Sequence, residues 1–227
     1  MKRILICCCL FFLVSLPVHA SKSKQVKRLE NAADVISEIM KIPEDSIPKD
    51  LLEKAECVVV IPSMKKGAIG FGGNYGLGAV TCRLKNVWSP PVMVSMTGGS
   101  FGFQLGGTST DIVLLVMNRK GIDKLLESKV TLGGDASAAA GPKGRTAAAA
   151  TDAQMRAEIL CYARSRGLFA GISINGSVLK SEGDDNEDLY GKRVDPKVLL
   201  TQGGPVPVAA HRLIDLLTKY SPRGREQ

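Results

Sequence analysis

The chain holds 227 residues with a formal net charge of +8 and 44% hydrophobic residues, enough for a sizeable core and too apolar for a disordered chain. The 30 lysines and arginines are not interleaved with aromatics, which make up 5% of the chain. The basic excess therefore does not describe a nucleic-acid interface, and it favours acidic partners such as anionic lipid headgroups. Only two histidines are present, which removes most zinc chemistry and weakens any histidine-based mechanism.

Met1-Lys2-Arg3, the apolar run Ile4–Val18 and the small residues around Ala20 have the layout of a secretory signal peptide. Residues 1–20 are assigned to it, and a mature chain is expected to begin at Ser21. The apolar run is short for a membrane span. Loss of Lys2 and Arg3 lowers the formal charge from +8 to +6. The expected location is periplasmic or extracellular, with peripheral attachment to the outer membrane, which also argues against a genomic target. Cys7, Cys8 and Cys9 lie within the leader, leaving Cys57, Cys82 and Cys161. These form an odd set in apolar surroundings with no C-x-x-C pair, and are expected as buried free thiols without metal.

Residues 21–44 contain a basic amphipathic helix. Over 24–41, Val26, Leu29, Ala33, Ile36 and Met40 recur at spacings of three and four, one apolar stripe. Lys22, Lys24, Lys27 and Arg28 crowd its beginning, where they oppose the helix dipole. Two readings stand: a solvated basic end on a helix docked to the core, or an interfacial helix with its apolar side in an anionic membrane.

Residues 45–220 read as one α+β domain, followed by a polar tail over 221–227. A short helix is predicted at Pro48–Glu56, with Leu51, Leu52 and Ala55 inward. Cys57–Ile61 is a buried strand expected to stop at Pro62. Lys65-Lys66-Gly67 then reads as a basic turn. Over 68–84, glycines at 70, 72, 76 and 78 deny a helix and suit close-packed strands, and their spacing matches neither a dinucleotide fingerprint nor a P-loop. A turn at Trp88–Pro91, strands at Val92–Met96 and Asp111–Met117, and a helix at Lys120–Ser128 follow. The Ala/Gly-rich stretch 130–152 fits either close backbone packing or an exposed connection.

Glu158–Ser177 shows two apolar arms around Ser165-Arg166-Gly167, a β-hairpin or sharp strand-to-strand corner, expected as the central hairpin of the fold and packing Tyr162, Leu168, Phe169 and Ile172 against neighbouring strands. Arg164 and Arg166 flank its corner, either as anion contacts or as turn charges and carboxylate partners. A strand continues over Ser177–Lys180. Asp184, Asn186 and Asp188 imitate the first ligands of a calcium loop, but Leu189 occupies the glycine position and Asp195 the closing glutamate, so a plain polar loop is expected. Helices at Pro196–Thr201 and Val206–Tyr220 close the domain. The last presents Ala209, Leu213, Leu216 and Leu217 on one face.

One motif invites an enzymatic reading. Gly98-Gly99-Ser100-Phe101-Gly102 matches the nucleophile-elbow pattern, and Ser100, Asp111 and His211 follow in hydrolase order. An elbow needs a helix directly after the serine, whereas Phe101, Phe103 and Leu105 alternate with small or polar residues as in a strand. No catalytic residue, metal or cofactor is assigned. A serine hydrolase stays the least favoured reading, behind a structural envelope protein binding other proteins.

The ordered blocks AIGFGGNYGLGAV (68–80), WSPPVMVSMTGGSFGFQLGG (88–107), LGGDASAAAGPKGR (132–145) and YARSRGLFAGISINGS (162–177), with Asn186 and Tyr190-Gly191, resemble the SYLF-domain family of lipid-binding proteins, in its secreted bacterial type. The resemblance implies a non-enzymatic protein that binds anionic phospholipid membrane surfaces through the basic N-terminal helix, here Lys22, Lys24, Lys27 and Arg28. It leaves Arg164 and Arg166 as further headgroup contacts. Eukaryotic members resemble phosphoinositide-binding adaptors, some acting at actin structures. In an exported member the lipids of the cell envelope would take the place of phosphoinositides. The fold class expected from residues and resemblance together is α+β: a mostly antiparallel, glycine-rich, barrel-like sheet with an N-terminal amphipathic helix and C-terminal helices.

Overall fold

The computed structural model describes residues 18–41, 46–69, 71–85, 87–101, 108–127, 129–144, 154, 156–165 and 168–222. Most of the proposed leader, Arg166 and the end of the polar tail lie outside them, as does the side chain of Lys22.

Six helices and ten strands are formed among the described residues. The helices are α1 (Val18–Ile39), α2 (Lys49–Lys54), α3 (Arg119–Leu125), α4 (Gly183–Tyr190), α5 (Pro196–Gln202) and α6 (His211–Tyr220). The strands are β1 (Cys57–Ile69), β2 (Phe71–Leu84), β3 (Val87–Trp88), β4 (Val92–Phe101), β5 (Thr108–Val116), β6 (Lys129–Thr131), β7 (Ala138–Ala140), β8 (Ile159–Ser165), β9 (Leu168–Gly171) and β10 (Val178–Ser181). The sheet runs β6-β10-β4-β2-β1-β5-β8-β7, with β3 on β2 and β9 on β8. Every pairing is antiparallel except β7 on β8. Its two ends, β6 and β7, are joined directly through residues 132–137, where Leu132 bridges Ala136. The sheet is thereby curled into a half-barrel.

The continuous apolar runs are strands buried on both faces. Val58 and Val60 of β1 and Val113 and Leu115 of β5 face Leu29, Ala33 and Ile36 of α1 and Leu213 and Leu217 of α6. Val59, Ile61, Ile112 and Leu114 point the other way, into a second core closed by Leu125 of α3 and Leu199 and Leu200 of α5. The amphipathic helix is thus docked, with Leu29, Ala32, Ala33, Val35 and Ile36 all buried, while Val26 at the start of the predicted stripe is 36% exposed.

Four expectations require correction. Pro62 does not end the first strand, and Lys65-Lys66-Gly67 is not a turn. β1 continues to Ile69 through a bulge, visible as register shifts between Val60 and Lys65 on one side and Ile61 and Met64 on the other. A bulge is where a strand tolerates the missing N–H of proline, and Ser63 there has φ +52°. The bulged backbone presses on β2: a Cβ at Gly78 would lie 1.9 Å from the Val60 carbonyl oxygen. Gly78→Ala is therefore expected to destabilise the fold by about 2 kcal/mol, as other overpacked interiors do, read as a lowered denaturant midpoint.

Residues 183–190 form α4 rather than a polar loop. Asp184, the first of the residues that imitate calcium ligands, sits with Asp185 in its first turn, where the helix dipole favours negative charge, and Gly191 closes it at φ +71°. The hairpin of β8 and β9 lies toward one end of the sheet, not at its centre. Tyr162 is fully buried and stacked on Phe169, but Leu168 is 79% exposed. Finally, Cys57 and Cys82 are not free thiols. They stand opposite each other on β1 and β2 and are joined in a disulfide. Cys161 alone remains reduced among the described residues, its thiol pushed up to about 12 by burial.

Candidate functional site

The first half of α1 crosses the face of the β1–β2 ribbon and leaves an open cleft of roughly 340 Å3 between them. Lys24, Lys27 and Arg28 form the helical wall, one residue set on one face by its spacing of three and four. Lys65 and Tyr75 rise from the strands as direct cross-strand partners, and Asn31, Pro62, Ser63, Gly76 and Leu77 complete the lining. Among the described residues no aspartate or glutamate lines it. Lys24, Lys27 and Lys65 are exposed, and Tyr75 is 52% exposed. Cations gathered from two elements around a concave surface make a positive potential that draws phosphates and carboxylates.

Crowding these charges requires an anchor. Arg28 Nη1 donates to Asp185 Oδ2 at 2.6 Å, and Gln25 Nε2 donates to Asp185 Oδ1 at 2.5 Å. Asp185 belongs to α4, and α4 is held to β4 by Asn186. That buried side chain accepts from the Met93 N–H at 2.7 Å and donates to the Met93 carbonyl at 3.2 Å and the Glu182 carbonyl at 2.8 Å. Asn186→Ala would leave the Met93 N–H without its acceptor. The expected cost is about 2 kcal/mol, measurable by denaturant titration, with Asp185 released from its place beside Arg28.

Arg164 occupies a different position. Its Nε and Nη2 donate to Asp111 Oδ2 at 3.0 and 2.7 Å, and Nη1 pairs with Glu38 of α1. Asp111 Oδ1 in turn accepts from the Ser63 N–H at 2.8 Å. Burial raises the Asp111 carboxyl and lowers the Arg164 guanidinium from their ordinary values, opposed by the Ser63 bond in the first case and by Asp34 in the second. One arginine thus ties α1, β5, β8 and the β1 bulge together behind the cleft. Its donors are directed at carboxylates of the fold. Of the six basic residues expected at a site, Lys24, Lys27 and Arg28 share the cleft, and Arg164 stands apart in this clamp.

Lys65 and Tyr75 are the residues that sequence reasoning missed. Treating Pro62 as a strand end removed Lys65 from the sheet and hid its pairing with Tyr75. The available signal was alternation: Tyr75, Leu77 and Ala79 fall on one face, the face that α1 covers.

The hydrolase constellation does not assemble. Ser100 lies within β4, paired with Gly72, its side chain outside the described residues. Asp111 is engaged by Arg164 and Ser63 rather than by an imidazole, and His211 opens α6. Among the described residues no group of three or more His, Cys, Asp or Glu is placed to hold a metal.

A half-barrel α+β domain with a cationic cleft defines a module whose surface is suited to binding. Residues 97–220 match the family described as Ysc84, Las17-binding protein actin regulator, and the chain belongs to that family, the SYLF-domain proteins. It is similar to protein YSC84 of Saccharomyces cerevisiae, 32% identical over 210 residues that make up 88% of this chain and 44% of that one. LAS seventeen-binding protein 3 of the same yeast is 31% identical over 210 residues, 88% of this chain and 45% of that one. SH3 domain-containing YSC84-like protein 1 of Homo sapiens is 27% identical over 214 residues, 91% of this chain and 61% of that one. The chain spans less than half the length of the yeast relatives.

Proposed function

We propose that this domain is a non-enzymatic module that binds anionic phospholipid surfaces through the cleft of Lys24, Lys27, Arg28 and Lys65. The observation that carries the reading is the meeting of exposed lysines from a helix and a strand around a concavity whose described lining holds no acidic residue. Beside them Tyr75 is exposed, an amphipathic ring suited to the headgroup layer. A lipid phosphate entering the cleft would meet Lys24 and Lys27 on one side and Lys65 on the other. Each lysine near an anionic surface is worth about 1 kcal/mol. The apolar stripe of α1 belongs to the core, so the docked helix would present its polar side to the membrane and not lie within it.

Export to the cell envelope is part of this proposal. The leader-like residues 1–20 support it, and so does the Cys57–Cys82 bond, since disulfides persist in oxidising compartments. The deciding experiment is sedimentation with phosphatidylglycerol-containing and pure phosphatidylcholine vesicles at low and high salt. Binding that requires the anionic lipid and weakens with salt is expected. Equal, negligible binding to both would overturn the reading.

A second reading, a protein-binding role, is favoured by the name of LAS seventeen-binding protein 3 of yeast and by the family's description as Las17-binding actin regulators. More than half of each yeast relative lies outside the shared region, so their partner binding is not assigned to the part this chain has. Stoichiometric capture of one defined protein without lipid would favour that role.

A further inference from the structure

We propose that a second site, on the opposite face of the sheet from the cationic cleft, takes a single unbranched aliphatic chain. A pocket of roughly 230 Å3 opens between β2, β4 and β10 on one side and α3 and α5 on the other. Val80, Val94 and Leu179 line its sheet wall, and Leu126 and Leu200 come from the helical side. Val80 and Tyr75 both belong to β2, but Val80 points into the core closed by α5 while Tyr75 points into the cleft beside α1. The two sites are therefore independent, and this inference does not rest on the headgroup reading.

Size and chemistry choose the ligand. An apolar cavity of about 150 Å3 stays dry and accepts benzene, so by proportion this one holds about nine carbons. Its interior offers aliphatic carbon. The charged groups of the lining are exposed at the rim and balance in sign, Glu127 and Asp195 against Lys180 and Lys197, with Ser181 beside them. Glu127 already pairs with Lys124 at 3.3 Å, and Asp195 accepts from the Lys197 N–H at 2.8 Å as the cap of α5. A rim of balanced charge does not select an anion, so the chain supplies the affinity and the polar end of the amphiphile stays in water. The ligand class is a medium-length monoacyl or alkyl amphiphile.

The test uses the full chain and a neutral homologous series, the straight alkan-1-ols from butanol to decanol, followed by calorimetry and by methyl NMR shifts. Neutral alcohols give the cationic cleft nothing to bind, which separates this outcome from the fate of the headgroup reading. Affinity is expected to rise about fourfold per added methylene and to level off near nine carbons, with shifts at Val80, Val94, Leu126 and Leu179. Leu126→Trp, at the rim, is expected to weaken octan-1-ol binding at least tenfold, and Leu200→Phe serves if the first variant does not fold. Octanoate should bind within threefold of octan-1-ol. An absence of chain-length dependence, methyl shifts centred on Leu77 in the cationic cleft, or undiminished binding in a folded variant would overturn the proposal. The wild-type series decides the matter even if neither variant folds.

Discussion

Reduction of the Cys57–Cys82 disulfide is expected to lower the unfolding free energy by about 3 kcal/mol. The bond closes a loop with a sequence separation of 25, and the loss of chain entropy on closing a loop of that length corresponds to about 3.5 kcal/mol in the unfolded state. Residual hairpin structure in the reduced, unfolded chain brings this down somewhat. The effect should be global, because β1 and β2 are the middle pair of the sheet and each carries a further strand on its outer edge. Denaturant unfolding of the wild type with and without reductant provides the measurement, with a Cys57→Ser/Cys82→Ser variant as the matched control. The variant should unfold at the reduced midpoint and show no response to reductant. A wild-type midpoint that does not move on reduction would refute the assignment. Cys161 does not confound the comparison, since its buried thiol is held up to about 12 and stays protonated in neutral buffer.

Replacing Lys24, Lys27 and Lys65 together by glutamine is expected to weaken binding to anionic vesicles roughly a hundredfold, from about 1 kcal/mol for each lysine at the membrane surface. The three side chains are exposed and have little part in packing, so the melting temperature should stay within about 2 °C of wild type. Arg28 is left in place because its bond to Asp185 anchors α1 to α4. Deleting the helix would be a poor substitute. Leu29, Ala32, Ala33, Val35 and Ile36 are core residues, so their removal would unfold the domain and abolish binding for a trivial reason. Vesicle co-sedimentation of the triple variant beside Arg164→Lys makes the contrast sharp. The clamp variant should keep most lipid binding and lose stability instead, as Arg164 bonds to Asp111 and Glu38. If the triple variant binds as well as wild type, the cleft is not the contact.

The two Arg164 readings open at the level of sequence illustrate what spacing can and cannot decide. A basic residue at a hairpin corner is equally consistent with an anion site and with a carboxylate partner. Asp111 is 53 positions away and Glu38 is 126 away, distances along the chain at which no local pattern operates. The same holds for Cys57 and Cys82. Their number and context suggested thiols, whereas the bond follows from the register of two strands that a bulge at Pro62 allows to continue. Lys65 was lost for that reason too. The run at 184–188 is ambiguous for a different reason: residues that suit a calcium loop also suit a helix that begins on acids, and the docking of Asn186 onto β4 goes with the helix.

By itself the sequence determined the α+β class, the amphipathic stripe of α1, the doubly buried strands and the failure of the nucleophile elbow. Each of these is written in periodicity, in glycine placement or in the identity of adjacent residues, which act within a few positions of one another. Only the tertiary structure decided that the stripe is spent on the core, that Lys24 and Lys27 face Lys65 across a cleft, and that two cysteines meet. Those outcomes depend on which strands become neighbours and in what register, and that is settled by the burial of both sheet faces at once.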